Sequence, residues 1–472
     1  LAFKNLTIAG SPSTAATFSV TGDMTSTSGT LTTSGGAITV TGDLSVAGTI
    51  TGTGDITVNG GDTTGSGTLN LTSGTFLLDG AGLFGGNTGW TFSKLTFGNG
   101  SGITTSYGNG SGSVTSATTT VANNQTLDAG VSKTWNLTAS HEPFQLQGAF
   151  LASSSSFVYQ GTNNATVTPT TYYNLEISPT SGSPTYKLAT TTGQTITVNN
   201  DFTISGSGAA TVDATTRDPV LDVNGAFSIG TSDTFQASDS AAFTLAGNFT
   251  NNSGTFTANS GTLTLDTAAT SVITSAANMS FYNLMVTTPG KSLQFQKHSS
   301  NVPTFSFDSQ FTITGASGNW VNVQSDTPSS QWLVDFNVGQ TAVTYLNIRD
   351  SGCAVGSLSA TYSVTNSGGG NIGSCWNIGN IGAIGNGAVH STEQGSGGGT
   401  LRGGGTPGGG SGDSGTEGSG GGGVLCGGGP CSGGPGGGGG GSVGGAFTAN
   451  MDYLYGEFFR ATYETLRIFF GE

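Results

Sequence analysis

Hydrophobic positions along this chain fall in short alternating runs, and one such run recurs. An aromatic residue is followed by a spacer, Asn or Lys, Leu, a second spacer and a β-branched or aromatic residue. It reads Phe3-Lys4-Asn5-Leu6-Thr7-Ile8, Phe92-Ser93-Lys94-Leu95-Thr96-Phe97, Tyr172-Tyr173-Asn174-Leu175-Glu176-Ile177 and Phe281-Tyr282-Asn283-Leu284-Met285-Val286. Val343-Thr344-Tyr345-Leu346-Asn347-Ile348 is a looser copy. Alternation with period two is the signature of a strand with one buried face.

A second unit marks corners. Val20-Thr21-Gly22-Asp23-Met24 returns 20 positions later as Val40-Thr41-Gly42-Asp43-Leu44, and later versions are Val198-Asn199-Asn200-Asp201-Phe202 and Leu245-Ala246-Gly247-Asn248-Phe249. Gly-Thr-apolar steps such as Gly29-Thr30-Leu31, Gly48-Thr49-Ile50, Gly67-Thr68-Leu69 and Gly261-Thr262-Leu263 lie between them. Gly-Asp and Gly-Asn pairs supply the positive φ of a tight corner, and the flanking apolar residues line an interior. Short strands and corners repeating at about 20 residues predict an all-β parallel β-solenoid over residues 1–380. Tandem β-sandwiches are the competing architecture, because the aromatic-Asn-Leu units lie a domain's length apart, roughly 80–110 residues. The short period argues against them, since no sandwich closes in 20 residues.

The pattern then changes twice. Residues 381–446 are dominated by Gly and Ser, with a run from Gly436 to Gly441, and read as a tether spanning roughly 45 Å as a flexible coil. Residues 447–472 regain aromatics and helix formers. Tyr455, Phe458, Phe459, Leu466, Phe469 and Phe470 share a wide apolar helical face, while Glu457 with Arg460 and Glu464 with Arg467 pair on the other side. An amphipathic C-terminal helix that grips a neighbouring subunit is the expectation. Docking on its own chain or on a membrane surface are the alternatives.

Composition narrows the function. Only 8% of the 472 residues are charged, Gly supplies 83 of them, and the net charge is −15. No cationic cluster of the kind that displaces counterions is present, which excludes nucleic acid as a partner. We expect a secreted form, extracellular or at the cell surface, from which a signal peptide has been removed. Cys353, Cys375, Cys426 and Cys431 then read as two disulfides of an oxidising compartment, the first clamping the solenoid end. A four-thiolate metal site is disfavoured because Cys426 and Cys431 lack a second close pair.

Candidate chemistry is sparse. His141, His298 and His390 show no ligand spacing, and the GxSxG at residues 440–444 lacks its strand–turn–helix context. Arg217-Asp218 and Arg349-Asp350 alone suggest the carboxylate-and-cation partnership of a polysaccharide lyase or hydrolase. Asp23, Asp43 and Asp55 read better as corner residues than as Ca2+ ligands, so no cofactor is expected. Thr39-Val40-Thr41 and Thr49-Ile50-Thr51 raise ice binding, although alternating Thr is what any solvated β-face shows.

The stretch from Leu245-Ala246-Gly247-Asn248-Phe249-Thr250 through Gly254-Thr255-Phe256 to Gly261-Thr262-Leu263-Thr264-Leu265, with Phe281-Tyr282-Asn283-Leu284, resembles repeat-rich bacterial surface proteins of the adhesin or autotransporter-passenger type. The resemblance covers about residues 1–380. It implies an extracellular β-solenoid and carries over no catalytic residue. The expectation is therefore a non-enzymatic structural protein whose partner is itself, in a filament or surface array. An adhesin for carbohydrate or cell-surface ligands is the alternative.

Overall fold

The computed structural model of the chain describes residues 1–299, 303–337, 343–355, 358–360 and 376–378. All of these belong to the first of two units, Leu1–Ala388, and they form strands and no helix. The second unit, Val389–Glu472, lies outside the described residues. So do the expected tether, the expected helix with its apolar face, and Cys375, Cys426 and Cys431.

A coil consists of three short strands joined by corners, and each coil stacks on the one before it. Phe18–Val20, Met24–Ser26 and Thr30–Thr33 form one coil; Ile38–Val40, Leu44–Val46 and Thr49–Gly52 form the next. They pair in parallel, with Phe18 opposite Ile38, Met24 opposite Leu44 and Leu31 opposite Ile50. About 15 turns stack in this way. Inward positions are apolar, outward ones are Thr, Ser or Asn, and the strands carry alternating buried and half-buried residues as a result. Like residues fall above like: Ile38, Ile56 and Phe76 are successive partners, as are Val40, Val58 and Leu78, and all are almost completely buried. Each such side chain contributes on the order of 1.5–3 kcal/mol.

One face runs the whole length, from Ser13–Thr14 and Thr30–Thr33 to Val321–Ser325 and Leu346–Ile348. The other two faces change part-way. The ladder begun by Ala2–Phe3 ends at Phe144–Leu146, and the one begun by Leu6–Ile8 ends at Ala149–Leu151. New ladders replace them, from Ala165–Val167 to Thr255–Thr257 and from Thr171–Tyr172 to Ser351–Val355. Later coils are longer and their core is filled by phenylalanine. Phe202, Phe227 and Phe249 follow one another in tilted and edge-on contact, with ring centroids 5.3 and 5.2 Å apart.

The expected solenoid holds for the described residues against its competitor, and two readings of detail are corrected. The tandem sandwiches are absent among the described residues: every strand ladder there is parallel, and the aromatic-Asn-Leu units are bends within coils. Phe92 and Leu95, Tyr172 and Leu175, and Phe281 and Leu284 all point inward although three apart, which a period-two strand permits only where it breaks direction. The spacing of these units therefore records where coils bend, not where domains begin.

The second correction concerns the corner glycines. Gly22 and Gly42 do not adopt positive φ. They are required for room instead. A Cβ on Gly61, the next in the stack, would lie 2.2 Å from the Gly42 carbonyl oxygen and 2.4 Å from its carbon. Gly60 beside it has φ +82° and nothing within 4 Å of a Cβ. We expect Gly61→Ala to cost about 3 kcal/mol through overpacking. Gly60→Ala should cost about 1–2 kcal/mol through backbone strain alone. Urea unfolding midpoints of the two variants test the order.

Candidate functional site

The corner carboxylates are engaged with backbone. The Asp43 amide donates to Asp23 Oδ1 at 3.0 Å, Asp62 to Asp43 Oδ1 at 2.8 Å, and Leu83 to Asp62 Oδ1 at 2.8 Å. Asp55 accepts likewise from the Thr75 amide at 2.7 Å. In the later coils Asn174 Oδ1 accepts from Asn200 Nδ2 at 2.8 Å, and Asp201 Oδ1 from the Ala226 amide at 2.8 Å. Each side chain ties its corner to the next coil. Among the described residues no three His, Cys, Asp or Glu side chains gather where they could hold one metal ion.

The two Arg-Asp pairs are not brought together. Asp218 accepts from Ser238 Oγ at 2.9 Å. Asp350 is buried, lies 3.5 Å from Arg349 Nε and accepts from the Ser329 amide at 3.2 Å. Six pairing steps separate the strands that follow them, roughly 29 Å at strand spacing, whereas glycosidic carboxylates sit about 5–10 Å apart. Thr39 lies on a different face from Thr49 and Thr51, so these threonines do not form one array. Cys353 is half-buried on the strand Ser351–Val355 and packs against the core. His298 Nδ1 is 3.2 Å from the Pro303 carbonyl oxygen, and His390 lies outside the described residues.

Sequence reasoning missed two buried lysines. Lys133 Nζ donates to the carbonyls of Asn109 at 2.7 Å and Gly112 at 2.9 Å. Lys291 Nζ donates to the carbonyls of Thr267 and Ala269 and to Ser271 Oγ, all at 2.9 Å. Both lysines lie in the corner that leads into the continuous face, and both reach back to the same corner of the preceding coil. There an ammonium group serves acceptors that water cannot reach. The available signal was a lysine directly before a strand, in Lys133-Thr134-Trp135 and Lys291-Ser292-Leu293.

An open recess lies where the side faces change. Ser140 and His141 form its lower edge, Asn163 and Asn164 its middle, and Thr185 and Lys187 its upper edge, around an open groove of about 760 Å3. His141 forms a parallel bridge with Ala165 and holds φ at +66°. Its amide donates to the Asn164 carbonyl at 3.0 Å, its carbonyl accepts from the Thr166 amide, and its Nδ1 lies 2.9 Å from Ser140 Oγ. Asn164 Oδ1 accepts from the Thr185 amide at 2.8 Å. The chain matches no protein-family model, and no curated protein and no solved structure is detectably similar to it.

Beneath the same junction lies a closed polar cluster. Tyr159 and Tyr172 hydroxyls are 3.0 Å apart, Tyr172 donates to the Thr168 carbonyl at 2.7 Å, and the Thr168 amide donates to Tyr159 Oη at 3.2 Å. These bonds serve the backbone left without strand partners where two ladders stop.

Burial of these groups gives stability a signed dependence on pH. It lowers Lys133 to about 8, and Lys291 to about 8 against an opposing pull from Asp266. Between about pH 8 and 10.5 the unfolded chain holds protons that the folded chain has released, so stability rises with pH. Burial raises Tyr159 to about 12 and raises Tyr172 and Tyr186 as well. Above about pH 10 the unfolded chain therefore loses protons first, and stability falls. We expect the thermal midpoint to peak near pH 10, and the rise from pH 8 to vanish in a Lys133→Met/Lys291→Met variant.

Proposed function

We propose that this chain is an extracellular structural protein of the repeat-rich bacterial surface type, self-assembling and without catalytic activity. One observation carries the reading: the ionisable groups at the corners are spent on joining coil to coil. Asp23, Asp43, Asp62 and Asp201 accept amides from the following coil, and Lys133 and Lys291 donate to the preceding one. Chemistry-bearing side chains used this way stiffen a stack. About 15 turns at strand spacing extend roughly 70 Å.

Assembly in this reading belongs to residues 447–472, with Tyr455, Phe458, Phe459, Leu466, Phe469 and Phe470 burying their side chains on a neighbour, about 1.5–3 kcal/mol each. A disulfide between Cys353 and Cys375 closes the stack. Its support is Trp376, whose Nε1 donates to Ser351 Oγ at 2.9 Å, which places the residue after Cys375 beside the strand that carries Cys353. Electron microscopy should show polymers of the full chain and single particles after deletion of 447–472. Single particles from the intact chain would remove the assembly proposal. Peptide mapping without reductant should recover Cys353 linked to Cys375.

A further inference from the structure

The junction groove opens where two strand ladders stop, and a lysine and a histidine stand in its lining. We propose that it binds an acidic oligosaccharide, with Lys187 and His141 receiving a sugar carboxylate and the neighbouring hydroxyls and amides receiving sugar hydroxyls. The proposal goes beyond the structural role and holds whether or not the protein polymerises.

Charge selects the anion. The chain carries a net charge of −15, yet this groove presents an exposed lysine and an exposed histidine and no carboxylate in its lining. Lys187 makes no ion pair among the described residues. Its partner on the next coil is Asp213, but that carboxylate is already taken. Asp213 Oδ1 accepts from the Thr215 and Thr216 amides at 2.8 and 3.0 Å and from Thr215 Oγ1 at 2.8 Å, and its Oδ2 accepts from Thr216 Oγ1. Those hydrogen bonds turn the Asp213 carboxylate toward its own corner, and the exposed Lys187 ammonium closes no ion pair with it.

Geometry supplies the rest. His141 is held in a left-handed conformation by backbone bonds on both sides, a strain that the surrounding bridge imposes. Ser140 engages Nδ1, and Nε2 makes no hydrogen bond among the described residues. The volume of about 760 Å3 falls within the usual range for small-ligand sites, roughly 300–1,000 Å3. No Phe, Tyr or Trp lines the groove, so it offers no broad apolar platform to a neutral sugar. Recognition must come from charge and hydrogen bonds, which an acidic glycan satisfies.

Calorimetric titration with tetragalacturonate and with neutral galactotetraose tests this on the full chain. The acidic sugar should bind at least tenfold more tightly. Lys187→Gln should weaken it at least fivefold, and His141→Asn, whose side chain tolerates left-handed backbone, at least threefold. Lys4→Gln, an exposed lysine in the first coil, should change nothing. Circular dichroism of each variant checks that it remains folded. Equal affinity for the neutral sugar, no binding of the acidic one, or an equal loss in Lys4→Gln would each overturn the proposal.

Discussion

Everything in this structure depends on the parallel backbone ladder and its fixed step from one coil to the next. Strands pair with strands a whole turn away in sequence, as Phe18 does with Ile38 and Phe227 with Phe249, at a spacing near 4.8 Å that side chains cannot alter. The ladder tolerates any outward residue. Corners are less permissive, because the chain must turn there without pushing neighbouring coils apart. The demand for room at Gly42 and Gly61 follows directly.

Corners are also where backbone groups leave the ladder, and the chain satisfies them with side chains in a consistent manner. A carboxylate or amide oxygen takes an amide from the coil above, and at two places a lysine ammonium takes carbonyls from the coil below. An exposed Asp doing this costs little. A buried Lys costs desolvation, which the clustered acceptors offset only in part.

The junction between the two sets of side faces departs from this regularity. The continuous face passes through it unbroken, with Ser156–Tyr159 paired to Asn174–Ile177, while both other ladders stop and restart. Backbone freed inside is gathered by Tyr159, Tyr172 and Thr168. The discontinuity outside becomes the groove at His141 and Lys187. The groove thereby arises from a packing problem, where two ladders stop and restart.

Strand existence, the inward apolar positions and the 20-residue coil were legible in local sequence, because alternation and corner chemistry act over neighbouring residues. The Val-Thr-Gly-Asp unit betrayed its corner even though the reason for its glycine was steric rather than torsional. Tertiary structure alone decided what crosses between coils. Aromatic-Asn-Leu units proved to be bends because strand partners about 20–30 residues away set the direction of the chain. The burial of Lys133 and Lys291 was not legible, since the carbonyls that receive them belong to another turn. The groove likewise joins Ser140 to Lys187 across three successive coils, and no local pattern records where two ladders end. Sequence speaks for contacts along the chain; contacts from coil to coil exist only once the stack is built.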